Sequence, residues 1–214
     1  MNYTERQGHG FTFEEYVEKN YEVNREGHTY TDKWDADING FPCSIKNIKT
    51  NGAVDCADLF RQASIYEDFI MIVHFYKNKN EINLDDLHFL YIPGKAWHSY
   101  FLDLDKFEAQ FKNALDSVSN SHTDDALWTK LRIECVDFWK KNTKDKITVN
   151  GKRDHKKQKR WQCSINKTNF FQEFLPKYEI SKEEYFKCLE KLKAMDKKTN
   201  LTGFTHLTVQ YLHV

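Results

Sequence analysis

The stretch Phe69 to Tyr76, FIMIVHFY, sets the tightest limit on how this chain folds. Successive side chains of a strand point to opposite faces, so a run this apolar cannot show one face to water. It reads as a strand buried on both sides, with covering layers above and below its sheet. His74, inside the run, is then expected to be a hydrogen-bonded core histidine rather than a ligand.

A second local signal lies upstream. Lys33 to Ile38 and Phe41 to Ile48 have strand character and are separated by Asn39-Gly40, the dipeptide that suits a two-residue type I′ turn. That turn fixes the register: Ile38 opposite Phe41, Asp37 opposite Pro42, Asp35 opposite Ser44 and Lys33 opposite Lys46. Asp35, Asp37, Ser44 and Lys46 then project from one face, and Trp34, Ala36, Ile38, Cys43 and Ile45 from the other, apolar one.

Around these strands the pattern predicts a helix over Thr12 to Asn20 capped by Thr12, a short strand at His28 to Thr31, and a helix over Cys56 to Tyr66. Beyond the buried run it predicts a strand at Leu87 to Ile92 and helices near Asp105 to Val118, Ala126 to Lys141 and Lys182 to Met195. Further strands are predicted near Lys159 to Ile165 and Thr205 to His213. With neither repeats nor low-complexity linkers, the 214 residues are expected to form one domain of α/β (α+β) class, a mixed central β-sheet flanked by helices.

No window approaches the roughly eighteen apolar residues of a membrane span, and MNYTERQGHGFTFEEY lacks a basic region followed by an apolar run. A cytoplasmic protein without a membrane partner is the expectation. Five cysteines, odd in number and without a CxxC pair, argue for reduced core thiols over a disulfide framework or structural zinc. Gly8-His9-Gly10 lacks the spacing of a phosphate cradle, so no nucleotide cofactor is expected, and GxSxG, HExxH and dinucleotide fingerprints are absent. The histidines show none of the clustering that a ββα-metal nuclease requires.

Carboxylates converging beside a lysine suit phosphodiester hydrolysis: hard oxygens hold Mg²⁺, and the ammonium orients the attacking water and offsets charge at phosphorus. A half-buried strand with a solvated charged face is the bland alternative. At this point the chain resembles the PD-(D/E)XK nuclease superfamily, over roughly Arg6 to Tyr76. GFTFEEYV, WDADING, SIK and QASIY carry the resemblance. It implies a restriction-endonuclease-like core over about residues 6–76, with residues 77–214 elaborating it for DNA recognition.

By this resemblance Glu14 matches the early helical glutamate, Asp35 or Asp37 the metal aspartate with Asp35 favoured, and Lys46 the motif lysine. Ser44 stands where most members carry an acid. A similar subgroup has serine there and takes an acid from the following helix, which puts Asp58, or Asp55 nearer by, in that role. Gln62 and Tyr66, spaced QxxxY, resemble a pair found in recombination-type members and would share one helix face. The implied catalytic set is Asp35, Lys46, Glu14, Ser44 and Gln62, and the implied ligands of Mg²⁺, with Mn²⁺ as a substitute, are Asp35, Asp37 and Asp58.

The net charge is zero, but Lys152, Arg153, Lys156, Lys157, Lys159 and Arg160 crowd into nine positions. This run reads as a loop feeding a strand that neutralises DNA phosphates, with Gln162 and Asn166 as candidate base readers. The expected function is Mg²⁺-dependent, sequence-specific cleavage of double-stranded DNA, as by a type II restriction enzyme, and a homodimer follows for a palindromic site. A structure- or end-dependent repair nuclease and an inactive DNA-binding module of the same fold are the alternatives.

Overall fold

The computed structural model describes residues 4–29, 32–78, 81–101, 104–118, 125–143, 146–153 and 159–196. In chain order these form α1 (Thr4–Tyr21), β1 (Ala36–Ile38), β2 (Phe41–Lys49), β3 (Val54–Asp58), α2 (Leu59–Ala63), β4 (Phe69–Tyr76), β5 (Leu87–Ile92) and α3 (Gly94–His98). There follow α4 (Leu104–Phe107), α5 (Asn113–Ser117), α6 (Asp125–Thr143), β6 (Thr148–Arg153), β7 (Lys159–Ile165), α7 (Lys167–Asn169), α8 (Leu175–Tyr178), β8 (Glu179–Ile180) and α9 (Lys182–Asp196).

The apolar run is β4, buried from Phe69 to Phe75, at the centre of a five-stranded mixed sheet ordered β1-β2-β4-β5-β8. Only β2 and β4 pair in parallel, in register from Cys43 opposite Ile70 to Lys49 opposite Tyr76. The period of two sorts the side chains. Ile70, Ile72, Cys43, Ile45 and Phe89 face one layer, made by Phe13, Val17 and Tyr21 of α1 and Tyr185, Leu189 and Leu192 of α9. Met71, Val73, Phe75, Ile48 and Leu90 face the other, which includes Trp97, Phe107, Phe111, Trp139 and Trp161. Full burial of one such side chain contributes about 1.5–3 kcal/mol, so both covering layers bear on the stability of β4.

The hairpin has the predicted register, with Ala36, Asp37 and Ile38 opposite Cys43, Pro42 and Phe41. Asn39 and Gly40 both take positive φ, 51° and 79°, as a type I′ turn requires. β1 is shorter than predicted, because the chain leaves the ladder after the bond from Asp35 N to the Cys43 carbonyl, 3.1 Å. Trp34 is therefore a correction: it turns to the opposite core layer and lies 5.0 Å from the Phe69 ring.

Other differences have local causes. Thr12 lies inside α1 rather than at its cap. The outer edge of β1 is met by a single bridge at Asn24, and of the predicted strand at His28 to Thr31 the described residues 28 and 29 are not strand. Residues 56–58 belong to β3 and not to a helix; a bulge there leaves Ala57 at φ 68°, and α2 begins only after Asp58 caps it. β3 joins β7 and β6 in a second, antiparallel three-stranded sheet, so the described ends of the basic run lie on paired strands, with Lys152 opposite Arg160 and Arg153 opposite Lys159. β6 escapes the sequence pattern because Gly151 sits at its middle. A Cβ there would come within 2.6 Å of Trp128 and 2.8 Å of Trp161. The predicted strand Thr205 to His213 lies outside the described residues. All five cysteines are buried, as expected for core thiols, and no helix among the described residues is long and apolar enough to cross a membrane.

Gly94 opens α3 against the carbonyls of Tyr66 and Glu67, where an added Cβ would collide with backbone that cannot swing aside. Gly94→Ala is expected to destabilise the fold by about 1–3 kcal/mol, seen as a lower urea midpoint at unchanged m. A midpoint equal to that of the wild type would show that α3 can shift to make room.

Candidate active site

The hairpin register brings Asp35, Ser44 and Lys46 together as expected. One oxygen of Asp35, Oδ2, accepts three hydrogen bonds from consecutive residues of β2: the Ser44 hydroxyl at 2.9 Å, the Ile45 amide at 2.8 Å and the Lys46 ammonium at 2.8 Å. The Lys46 side chain is 17% exposed and that of Asp35 37%. Burial pushes the Asp35 carboxyl up, but Lys46 and the donors from Ile45 and Ser44 outweigh it and hold the group below its ordinary 3.8. Burial pushes the Lys46 ammonium down, yet Asp35 outweighs this too, with smaller pulls from Cys56 and Asp55, and Lys46 is held above its ordinary 10.5.

Glu14, on α1, feels the charges of this pair. Burial raises its pKa, Arg25 opposes, and the charges of Asp35 and Lys46 both act on it, for a net rise. Arg25 Nη2 donates to Glu14 Oε2 at 2.5 Å. Arg25 is a site residue that the sequence pattern missed, since it lies in the irregular link between α1 and β1 and belongs to no motif.

The remaining expected residues divide. Asp37 is occupied at the turn, where Oδ1 accepts from the Gly40 amide at 2.9 Å and Oδ2 meets His28 Nε2 at 3.3 Å. Asp58 caps α2 by accepting from Arg61 N at 2.9 Å, while it is the charge of Asp55 that acts on Lys46. The bulge in β3 gives Asp55 two bonds: Oδ1 accepts from Ala57 N at 2.8 Å and Oδ2 accepts from the Gln162 amide. Gln62 is buried on α2, and its backbone carbonyl accepts from Trp97 Nε1 at 3.2 Å. Tyr66 does not share its helix face, because α2 ends at Ala63 and Tyr66 is exposed. Among the described residues no three His, Cys, Asp or Glu side chains stand together as a metal cluster.

On the basic hairpin Lys152 is exposed. Lys159 instead donates to the carbonyls of Leu115 and Val118 at the end of α5, a favourable place for a cation. Arg160 is half-buried, and Lys156 and Lys157 lie outside the described residues. Gln162 is bonded to Asp55, and Asn166 caps α7 by accepting from Asn169 N at 2.8 Å. His74 is the expected core histidine: its Nδ1 bonds Asn47 Oδ1 at 2.9 Å and its ring stacks on Phe13 at 5.0 Å. No protein family, curated protein or solved structure matches the chain.

The two pKa directions set the pH window of the pair. The depressed Asp35 contributes stability that is present above 3.8 and lost as pH falls through its folded value. The raised Lys46 contributes stability that is present below 10.5 and lost as pH rises through its folded value. A double-mutant cycle with Asp35→Asn and Lys46→Met is expected to give a coupling of roughly 0.5–3 kcal/mol at neutral pH. That coupling should shrink at pH values well below 3.8 and well above 10.5. Urea melts across that range check it, and a pH-independent coupling would contradict the ion-pair assignment.

Proposed function

We propose that this chain is a Mg²⁺-dependent nuclease that cleaves double-stranded DNA at specific sequences, with Asp35 and Lys46 at its reacting centre. The observation that carries the proposal is Asp35 held by Ser44 and Lys46 on one face of the hairpin, with the charges of Asp35 and Lys46 both acting on Glu14 of α1. The order α1, β1-β2 hairpin, α2 and buried β4 agrees with the order of helix, motif hairpin, helix and buried strand that the PD-(D/E)XK resemblance implies.

The donor set fits a hard cation. Mg²⁺ is commonly held by one or two carboxylates, with water and substrate phosphates completing its shell, so a three-acid protein cage is not required. All three bonds to Asp35 fall on Oδ2, which leaves Oδ1 outside that set. Asp35 would hold the ion, which supplies Lewis-acid stabilisation of charge at the phosphoryl group. Asp37, Asp55 and Asp58, engaged at the turn, in the β3 bulge and at the α2 cap, are weaker ligand candidates than the sequence alone implied.

The chain's own residues account for the rest. Lys46, held above its ordinary pKa, stays an ammonium at neutral pH and serves as a hydrogen-bond donor, not as a base. It orients the attacking water and offsets charge on the phosphoryl oxygens. Glu14, whose carboxyl is pushed upward, is the group suited to accept a proton from that water. Ser44 holds Asp35 in place. A two-fold homodimer would present one such centre to each strand of a palindrome, and the exposed Lys152 on the β6-β7 hairpin suits phosphate contact.

A second reading, a DNA-binding module without chemistry, is favoured by the serine at position 44. Purified protein incubated with phage DNA in Mg²⁺ or EDTA separates the two. Discrete fragments are expected only with Mg²⁺, with rates at least about 10²-fold lower in Lys46→Ala and Asp35→Ala. A metal-dependent smear would mark a less specific nuclease, and intact DNA with tight binding would mark the inactive module.

A further inference from the structure

Tyr66 is a motif residue that the site chemistry leaves unused. It is 66% exposed, the highest value among the large hydrophobic side chains of the described residues. Its ring is nevertheless held in place. It lies on the His98 imidazole, centroids 4.2 Å apart and tilted by 32°. His98 is pinned in turn by Nδ1 against the Ala63 carbonyl at 2.9 Å; a carbonyl only accepts, so Nδ1 carries the proton. The backbone beneath is also fixed, since Gly94 packs on the Tyr66 carbonyl and donates its N–H to Asp68 Oδ1 at 2.8 Å.

The loop that carries Tyr66 is fastened to the segment that carries Asp35. Lys33 donates to the Ser64 carbonyl at 3.2 Å and pairs with Glu67 at 2.6 Å, and Arg61 Nη1 donates to the Asp32 carbonyl at 2.9 Å. Lys33 is two residues from Asp35. A single exposed aromatic ring is ordinary on a protein surface. A ring backed by a second ring, anchored at the backbone and tied through its loop to the segment that leads into Asp35 has a geometry that takes up a flat π partner.

We infer that the Tyr66–His98 stack is a platform for one unstacked base of the DNA substrate, next to the phosphate presented to Asp35 and Lys46. The inference rests on the nuclease reading for the identity of the polymer. Every base has a π face, so such a platform supplies affinity without choosing a sequence. It favours DNA in which displacing a base is cheapest, a mismatched or unpaired nucleotide.

The test is fluorescence anisotropy of a labelled duplex with one unpaired base and of its fully paired counterpart, in EDTA and in Ca²⁺, with wild type, Tyr66→Ala and Tyr66→Phe. The wild type is expected to bind the unpaired-base duplex more tightly. Tyr66→Ala should weaken that complex about fivefold or more, with a smaller effect on paired DNA, and Tyr66→Phe should restore it because the ring rather than the hydroxyl makes the contact. Unchanged affinity in Tyr66→Ala overturns the platform, as does a dimer of the protein that dissociates in Tyr66→Ala while DNA binding is untouched. The two readings fail separately. DNA cut by the wild type but bound independently of Tyr66 removes the platform and leaves the nuclease; uncut DNA with Tyr66-dependent binding removes the nuclease and leaves the platform.

Discussion

Parallel pairing of β2 with β4 is the constraint from which most of this architecture follows. A parallel neighbour cannot be reached by a tight turn, so the chain must cross over one face of the sheet before it returns. The crossover here is β3 and α2. Because β4 is buried on both sides, the crossover face has to be sealed by more than one short helix, and the second sheet with its tryptophan-rich helical layer does so. The same pairing sets Lys46 beside Val73 and Ser44 beside Met71, which fixes the strand that supplies two of the three side chains of the Asp35 cluster.

How much of this was legible in the sequence depended on whether one residue type determined the local geometry. Asn39-Gly40 determined the turn, the turn determined the register, and the register delivered Asp35, Ser44 and Lys46 to one place. The unbroken apolar run likewise announced β4. β3 and α2 were misread because the boundary is set by a bulge with Ala57 at positive φ, which apolar periodicity does not encode. β6 was missed because its defining contact is the absence of a side chain at Gly151, between two tryptophans distant in sequence.

In the candidate site, what went unseen was the partner of each acid. Arg25 for Glu14, Gln162 for Asp55 and the Asp58 cap on α2 are tertiary or conformational facts. They give further partners to residues that the sequence offered for metal binding or base reading. In the basic run, Lys159 closes the end of a helix, a role that composition does not reveal.

The pairing of β3 with β7 has a consequence for the order of events in synthesis. Asp55 and Gln162 are separated by 107 positions, and at translation rates of about 5–20 residues per second the later strand emerges roughly 5–20 s after the earlier one. Until then β3 has no ladder and Val54 and Cys56 have no cover from Cys163 and Ile165. The hairpin can close on the ribosome, but the layer that seals its far side is a late arrival, so the nascent chain carries an exposed, half-built sheet and has to be completed from its C-terminal half before the centre at Asp35 is enclosed.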